Sequence, residues 1–323
     1  MKELLSSALE GKHTLAIGGH IHPDGDCIGS CVGLYLYLRQ EYPELEVDVY
    51  LEEIPREFRF LKGTEEVKHK ADRERAYDLF ISLDCGDTGR LGFAEEMFRK
   101  AGSTFCVDHH LSNNHFAEVN YVVPEASSTS ELIFHLLEEE KISKEVAALL
   151  YMGIAHDTGV FFYTCTSPET MEVAATLMRK GIPANEIIDR TYYVKSYLQQ
   201  KVLGKAIERS SLYFGERCIV STLTKEVLDY YGASPADLEG IVSQLRNTDG
   251  VEVSVFLYAL QEKEFKLSLR SRSYVDVNKI AQKLGGGGHA RAAGATLKGT
   301  EGEILKQVLA LIKEEILKKE EEV

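Results

Sequence analysis

The chain has 323 residues, of which 44% are hydrophobic, and a formal net charge of −14. Its length allows two domains with sizeable cores, and no apolar run approaches the roughly 18–20 residues of a membrane span. The negative charge argues against a long nucleic-acid duplex as partner, because proteins that bind duplexes usually display a basic surface. A short phosphate-bearing ligand stays open, since bound divalent ions would add positive charge locally.

The first residues and the cysteines predict a cytoplasmic protein. The start of the chain carries acidic residues and a helical pattern, which is not the basic-then-apolar layout of a signal peptide. The six cysteines lie in apolar contexts and form no Cys-x-x-Cys motif, so free thiols are expected. Three of the cysteines lie beside aspartates and histidines that are candidate metal ligands. Thiolate ligation is one interpretation of these three, and a buried structural role is the favoured one.

The first half of the chain alternates strand-like and helix-like segments. An apolar helix pattern covers 27–40, and strand patterns cover 13–19, 46–51, 78–83 and 104–107. This alternation predicts an α/β fold with a doubly wound, mostly parallel sheet. Ligands of such sheets bind beyond the carboxyl ends of the strands. The site is therefore expected at that edge.

Carboxylates and imidazoles collect at that edge of the predicted sheet. The group comprises His20, Asp24, Asp26, Asp84, Asp108, His109, His110 and, after a helix pattern at 145–154, Asp157. Buried charges are costly when unpaired, but they are tolerated together where they converge on cations. Oxygen and nitrogen donors favour manganese, cobalt, magnesium or iron. Two such ions would supply an attacking oxygen at neutral pH and hold phosphoryl oxygens, which predicts a two-metal hydrolase.

The second half predicts a smaller α/β unit. A charged helical segment at about 185–210 reads as a connector, and strands are expected at 218–223, 251–260 and 264–269, with a hairpin turn at 261–263. Helix patterns follow at 277–284 and 302–319, and the charged end, 318–323, is expected to fray. The predicted domains are therefore 1–183, a helical connector at 184–211, and 212–323.

A glycine-rich segment stands out in the second unit. Four consecutive glycines at 285–288 precede His289. Glycines permit backbone N–H groups to approach an anion or a base closely. The alternative interpretation of this segment is a flexible linker. His289 could donate or stack, while Arg270, Arg272 and Arg291 are candidate phosphate contacts.

Together these motifs resemble the DHH/DHHA1 phosphoesterases over nearly the whole chain. The resemblance rests on the segment from His20 to Asp26, on Asp84, on Asp108-His109-His110, on Asp157 and on the glycines before His289. The size and the short interval between domains are most similar to the nanoRNase/pAp-phosphatase branch, which includes relatives that act on cyclic di-AMP or its linear product. The resemblance implies a manganese-dependent hydrolase with an active site in the cleft between a DHH and a DHHA1 domain.

The resemblance also implies roles for single residues. One of two divalent cations would be held by His20, Asp24 and Asp84, and the other by Asp26, Asp84, His109 and Asp157. His110 would contact the scissile phosphate, and Asp108 would orient a neighbouring histidine. The catalytic group would thus be Asp84, Asp108, His109 and His110. Further substrate contacts would come from Arg90, Ser128, Arg270, Arg272, Gly287, Gly288 and His289.

The expected substrates are very short oligoribonucleotides, such as the linear dinucleotides pApA and pGpG, cleaved to 5′-mononucleotides. Removal of the 3′-phosphate from pAp is a second expected activity. The alternatives are a cyclic di-AMP phosphodiesterase, an inorganic pyrophosphatase, and a nucleotide-binding regulator that lacks catalysis. A pyrophosphatase should carry a Ser-Arg-Lys-Lys-type cluster, which this sequence lacks. No membrane partner is expected, and exposed apolar helices make a homodimer plausible.

Overall fold

The computed structural model describes residues 2–72 and 74–320, and the chain divides into two compact units, Met1–Val194 and Lys195–Val323. Within the described residues, no helix combines the length and the apolar character that crossing a bilayer requires. The charged end expected to fray, 318–323, extends beyond the described residues.

The first unit contains a five-stranded parallel sheet, which confirms the predicted fold. Its strands are β1 (Thr14–Gly18), β2 (Glu46–Tyr50), β3 (Leu79–Leu83), β4 (Thr104–Asp108) and β5 (Val119–Val122). They are arranged in the order β2-β1-β3-β4-β5. The sequence pattern predicted the first four strands. It missed β5, because this four-residue edge strand is only half-buried to exposed and lacks a continuous apolar run.

Two of the seven described helices of the first unit, the second and the fifth, pack closely against each other. The seven helices are α1 (Lys2–Leu9), α2 (Gly25–Glu41), α3 (Glu95–Lys100), α4 (Thr129–Leu136), α5 (Lys144–Asp157), α6 (Pro168–Arg179) and α7 (Ala184–Ile188). A Cβ at Gly29 of α2 would lie 2.6 Å from the carbonyl oxygen of Leu149, so glycine lets α2 and α5 approach closely. Asp157 is the last residue of α5, and this packing brings it near the start of α2.

The second unit contains a six-stranded mixed sheet. Its strands are β6 (Ser211–Tyr213), β7 (Cys218–Leu223), β8 (Val253–Gln261), β9 (Glu264–Ser271), β10 (Gly287–His289) and β11 (Ala292–Lys298), in the order β10-β11-β9-β8-β7-β6. Only β7 and β8 pair in parallel. The helices are α8 (Tyr197–Glu208), α9 (Lys225–Tyr231), α10 (Ile241–Arg246), α11 (Val277–Lys283) and α12 (Glu301–Glu320).

The segment expected as a connector, 184–211, crosses the division between the units. Its first part, α7 and a π-helical turn at Asp189–Tyr193, belongs to the first unit. Its second part, α8, belongs to the second unit, where Val202 and Ala206 share a buried cluster with Ile219 of β7. Short 3₁₀ turns occur at Arg56–Phe58, Thr64–Glu66, Thr88–Ala94, Glu139–Lys141 and Pro235–Leu238.

Candidate metal centre

The loop after β1 places His20 and Asp24 at the edge of the sheet. Asp24 is the N-cap of α2, and its Oδ1 accepts hydrogen bonds from the backbone N–H groups of Asp26 and Cys27, both at 3.1 Å. His20 donates from Nδ1 to the carbonyl oxygen of Ile21 at 2.8 Å, which leaves Nε2 as the ligand atom. That Nε2 lies 3.6 Å from Asp24 Oδ1 and 3.4 Å from Asp84 Oδ2.

Asp84 occupies the centre of the cluster. It follows β3 directly, is 2% exposed, and has a left-handed backbone with φ 57°. Aspartate tolerates this conformation better than most residues, and such strain often accompanies function. Thr129 donates its hydroxyl to Asp84 Oδ1 at 3.2 Å, and His109 Nε2 lies 3.6 Å from the same oxygen. One carboxylate therefore faces histidines from two different loops.

Asp26, His109 and Asp157 form the other side of the cluster. His109 Nε2 lies 3.1 Å from Asp157 Oδ2 and 4.0 Å from Asp26 Oδ2. Asp26 is fully buried, and the first backbone N–H groups of α4, those of Thr129 and Ser130, donate to its two oxygens at 2.7 and 2.8 Å. A helix N-terminus favours negative charge, so α4 positions this carboxylate.

The charges in this cluster perturb one another. Burial raises the pKa of Asp26 well above its ordinary value, and the negative charges of Asp84 and Asp157 raise it further. Burial alone would lower the pKa of His109, but the hydrogen bond and charge of Asp157, with the charges of Asp84 and Asp26, raise it to about 11. The carboxylates therefore resist being ionised together, and their charges keep the histidines protonated. This balance of charges indicates a site that would accept added positive charge.

The ligand geometry fits cations. Within the described residues, three groups hold ligand atoms within 4.8 Å of one another: His20, Cys27 and Asp84; Asp84, His109 and His110; and Asp26, His109 and Asp157. Asp84 is shared by two groups, as a bridging ligand would be. The structure thus brings together all six residues that the resemblance implied as ligands, since Asp24 contacts His20.

Asp108 and His110 form a pair beside the cluster. Asp108 ends β4, is fully buried, and accepts a hydrogen bond at Oδ1 from His110 Nδ1 at 2.7 Å. Burial would raise the pKa of Asp108, but the bond and charge of His110 lower it. The same hydrogen bond raises the pKa of His110. The neighbour that Asp108 orients is therefore His110.

Asn113 is a member of the site that sequence reasoning missed. Its Nδ2 donates to Asp108 Oδ2 at 2.6 Å and to the carbonyl oxygen of Cys85 at 3.0 Å. It therefore joins the segment after β3 to the segment after β4. A loop asparagine normally indicates a turn. The sequence offered one indication of this role, which is that Asn113 lies three residues beyond His110 in a loop that carries candidate ligands.

The two further candidate substrate contacts of the first unit, Ser128 and Arg90, have different environments. Ser128 has no exposed surface, and its hydroxyl caps α4 by accepting a hydrogen bond from the N–H of Glu131 at 3.1 Å. The structure thus gives Ser128 a helix-capping role. Arg90 is half-buried, and among the described residues its Nε is one of four buried side-chain polar atoms without a hydrogen-bond partner. An anion would satisfy that donor.

The glycine-rich segment of the second unit is a hairpin, which the sequence did not predict. A Cβ at Gly286 or Gly288 would collide with the backbone of β11, so these glycines permit close strand pairing. From the sequence, these glycines were instead expected to let the backbone approach a ligand closely. Around Gly287, by contrast, the nearest atom to an added Cβ is Asn278 Oδ1 at 4.0 Å, and His289 is exposed.

The arginines of the second unit differ in how their guanidinium groups are used. Arg272 donates from Nη2 to the carbonyl oxygens of Arg246 and Thr248 at 3.0 and 3.1 Å, so it stabilises the end of α10. Arg291 donates from Nη1 to the carbonyl oxygen of Val275 at 2.9 Å. Arg270 lies on β9 opposite Ala292 of β11, and its Nη1 donates to the carbonyl oxygen of Leu269 at 3.0 Å.

Comparison with known families agrees with this architecture. The pattern described as "DHH family, N-terminal domain" matches residues 14–154, and that described as "DHHA1 domain" matches residues 215–318. The first match covers the parallel sheet and every residue of the ligand cluster except Asp157. The second match covers the glycine hairpin and the mixed sheet from β7 onward, and β6 precedes it.

Relatives match the chain along most of its length. The bifunctional oligoribonuclease and PAP phosphatase NrnA of Thermus thermophilus is 32% identical over 96% of this chain and 91% of its own. NrnA of Bacillus subtilis is 26% identical over 92% of this chain and 93% of its own. A crystal structure of an exopolyphosphatase-related protein from Bacteroides fragilis superposes with a TM-score of 0.90, at 28% identity over 98% of this chain and 97% of that chain.

The fold and the ligand cluster define a metal-dependent hydrolase of phosphoester bonds. The chain belongs to the DHH/DHHA1 phosphoesterase family, because a relative above 30% identity covers nearly all of it and both domains match. The resemblance drawn from the sequence motifs is confirmed.

Proposed function

We propose that this protein hydrolyses very short oligoribonucleotides, such as pApA and pGpG, to 5′-mononucleotides, and that it removes the 3′-phosphate from pAp. The observation that carries the proposal is the full-length similarity to the T. thermophilus oligoribonuclease and PAP phosphatase, combined with a complete ligand cluster. The cyclic di-AMP phosphodiesterase GdpP of Geobacillus thermodenitrificans is 29% identical, but this chain spans only 46% of that protein. Cyclic di-AMP is therefore the second candidate substrate.

Two divalent cations, Mn²⁺ in our proposal, would be held by His20, Asp24, Asp26, Asp84, His109 and Asp157. Bound there, they would activate an attacking water and neutralise charge on the phosphoryl oxygens. The α4 N-terminus holds Asp26 in place, and Thr129 does the same for Asp84. These supports are formed by the protein itself, so the ligand positions are set before any cation binds.

His110 is the proposed contact to the scissile phosphate. Its Nδ1 is occupied by Asp108, so Nε2 is the ring atom that can donate to a phosphoryl oxygen. The raised pKa of His110 favours the protonated ring. A donor fixed in advance at a position where negative charge develops is an effective form of transition-state stabilisation. Asn113 supports this geometry by holding the other oxygen of Asp108.

The second unit would bind the nucleotide through Arg270, Gly287, Gly288 and His289. We favour Arg270 over Arg272 as the phosphate contact, because Arg272 donates two hydrogen bonds that hold the end of α10, whereas Arg270 Nη1 donates to the carbonyl oxygen of its chain neighbour Leu269. Replacing Arg270 with alanine should raise KM for pApA about tenfold, the value of one charge-assisted hydrogen bond, with little change in stability. The matched Arg272→Ala variant should lower the stability of the second unit and leave KM unchanged. The reverse pattern would contradict this assignment.

The direct test is product release from a panel of substrates. We would compare pApA, pGpG, pAp, cyclic di-AMP, a long single-stranded RNA and pyrophosphate, with Mn²⁺ and with a chelator. Fast, metal-dependent cleavage of the linear dinucleotides is the expected result. Equal rates on the long RNA would refute the restriction to short substrates. A preference for cyclic di-AMP would replace the leading proposal with the second candidate.

Cellular location and assembly are part of the same proposal. All six cysteines are free, as expected from their contexts, which suits a reducing compartment such as the cytoplasm. A homodimer stays a prediction, and light scattering after gel filtration would test it.

A further inference from the structure

Cys27 lies against one of the proposed cation positions. It is in the first turn of α2, directly after Asp26, and is fully buried. Its Sγ, a ring nitrogen of His20 and a carboxylate oxygen of Asp84 all lie within 4.8 Å of one another. Its thiol also lies 3.9 Å from the carbonyl oxygen of His20. The sulfur therefore belongs to the same small group of potential ligand atoms as two of the predicted ligands.

The backbone leaves room for this sulfur. A Cβ at Gly19 would collide with Cys27 Sγ and would lie 3.0 Å from Cys31 Sγ, so a larger residue at position 19 would displace the thiol. Cys31 lies one helical turn further along α2 and is equally buried. Among the described residues, however, Cys31 joins no group of potential metal ligands. The chain thus carries a ligand-positioned cysteine and a matched neighbour on one helix.

We propose that Cys27 is a ligand of the cation held by His20 and Asp84. On binding, the thiol would lose its proton to water, and a sulfur lone pair would form the metal–sulfur bond. The donor set would then contain nitrogen, oxygen and sulfur. Thiolate ligands favour softer ions than carboxylates do, so Cd²⁺, Zn²⁺ and Co²⁺ would gain affinity over Mn²⁺ at this position. This inference deepens the proposed metal centre and rests on it, but it does not depend on which nucleotide is hydrolysed.

The test is the ultraviolet absorption of the Co²⁺-loaded full-length protein. A thiolate bound to Co²⁺ produces a charge-transfer band that nitrogen and oxygen ligands do not produce. We expect the band in the wild type, its loss in Cys27→Ser and its retention in Cys31→Ser. Cd²⁺ affinity should fall about tenfold or more in Cys27→Ser, because losing even an outer partner of a metal site costs roughly 10–100-fold. Mn²⁺ affinity should change less.

Either of two outcomes would overturn the inference: a fully Co²⁺-loaded wild type without the band, or a band that persists in Cys27→Ser. The wild-type spectrum decides the question even where a variant folds poorly. Hydrolysis of pApA by the wild type in Mn²⁺ is measured separately. A band without hydrolysis would refute the proposed function and leave the inference standing, whereas hydrolysis without a band would do the opposite.

Discussion

The buried carboxylate of the second unit and those of the candidate metal centre in the first unit are partnered in different ways. In the second unit, Glu252 is the one buried carboxylate among the described residues. The backbone N–H groups of Ser273, Tyr274 and Val275 donate to it at 2.7–3.1 Å, and the hydroxyl of Ser273 donates at 2.7 Å. In the first unit, by contrast, Asp84 and its carboxylate neighbours converge on histidines and on one another.

This difference distinguishes a carboxylate that stabilises the fold from carboxylates that would bind a cation. A buried carboxylate that accepts several N–H bonds and has no second carboxylate against it is satisfied within the fold and needs no ligand. Asp26 also accepts two N–H bonds, but the neighbouring charges of Asp84 and Asp157 oppose its ionisation. Carboxylates that share donors and repel one another cost folding energy unless a cation joins them. Glu131 shows that the distinction belongs to the site and not to the unit. It is buried in the first unit and accepts hydrogen bonds from Ser127 and Thr170, as a structural carboxylate does.

The largest expected effect comes from Asp84→Asn. Asparagine tolerates the left-handed backbone at this position, so the change removes charge with little distortion. Weakening both proposed cation positions should remove several kcal/mol of transition-state stabilisation, or on the order of 10³-fold in kcat/KM. Hydrolysis of pApA in saturating Mn²⁺ measures this. Retention of wild-type activity would show that Asp84 is a structural carboxylate like Glu252.

Glu252→Gln tests whether the buried carboxylate of the second unit has a purely structural role. The amide would place its NH₂ group against backbone N–H donors, which costs about 2–3 kcal/mol of folding stability in the second unit. Urea unfolding followed by circular dichroism would measure the loss. In the fraction that remains folded, kcat should match the wild type. A drop in kcat without a drop in stability would mean that Glu252 serves the site directly.

Asn113→Ala tests the support beneath the pair of Asp108 and His110. Outer partners of metal-site residues typically contribute about 10–100-fold, and we expect an activity loss in that range. The loss should appear mainly in kcat, because His110 is the proposed contact to the reacting phosphate. Asn114→Ala is the matched control, since its side chain is exposed in the same loop. Equal losses in the two variants would point to general disturbance of the loop.

The smallest effect concerns pH and stability without metal. Burial alone would lower the pKa of His20, but the charge of Cys27 and the hydrogen bonds of Asp24 and Asp84 raise it to about 12, while that of His109 is about 11. Because these values lie above the unfolded value of about 6.5, the stability from these groups is complete below about pH 6.5. It is lost as pH rises toward 11–12.

In chelator, the Tm of the first unit should therefore fall as the solution is made more alkaline than about pH 7. Saturating Mn²⁺ should flatten this dependence, because the cation takes over the charge balance from the protons. Differential scanning calorimetry in both conditions measures the effect. His289→Gln, at an exposed position of the second unit, is the control and should keep the wild-type pH profile. A Tm that rises with pH in chelator would contradict the charge balance described here.

Local sequence patterns determined the strand–helix alternation of the first unit and the residues that follow its strands. Periodicity and apolar runs are properties of neighbouring residues, so β1 to β4 and α2 were predictable. The hairpin of β8 and β9 was predictable for the same reason. By contrast, β5 and the pair of β10 and β11 were not, because a half-buried edge strand and a glycine-rich strand have no distinctive local pattern.

Tertiary structure alone decided how the polar atoms are partnered. Asp26 is held by N–H groups more than 100 residues away, with separations of 103 and 104. Asn113 joins two strand ends, and Arg272 reaches back to α10. The sequence could indicate the side chains that cluster, because a carboxylate or imidazole after a buried strand is locally conspicuous. It could not show which side chains support them, because hydrogen bonds between distant segments are fixed only when the chain packs.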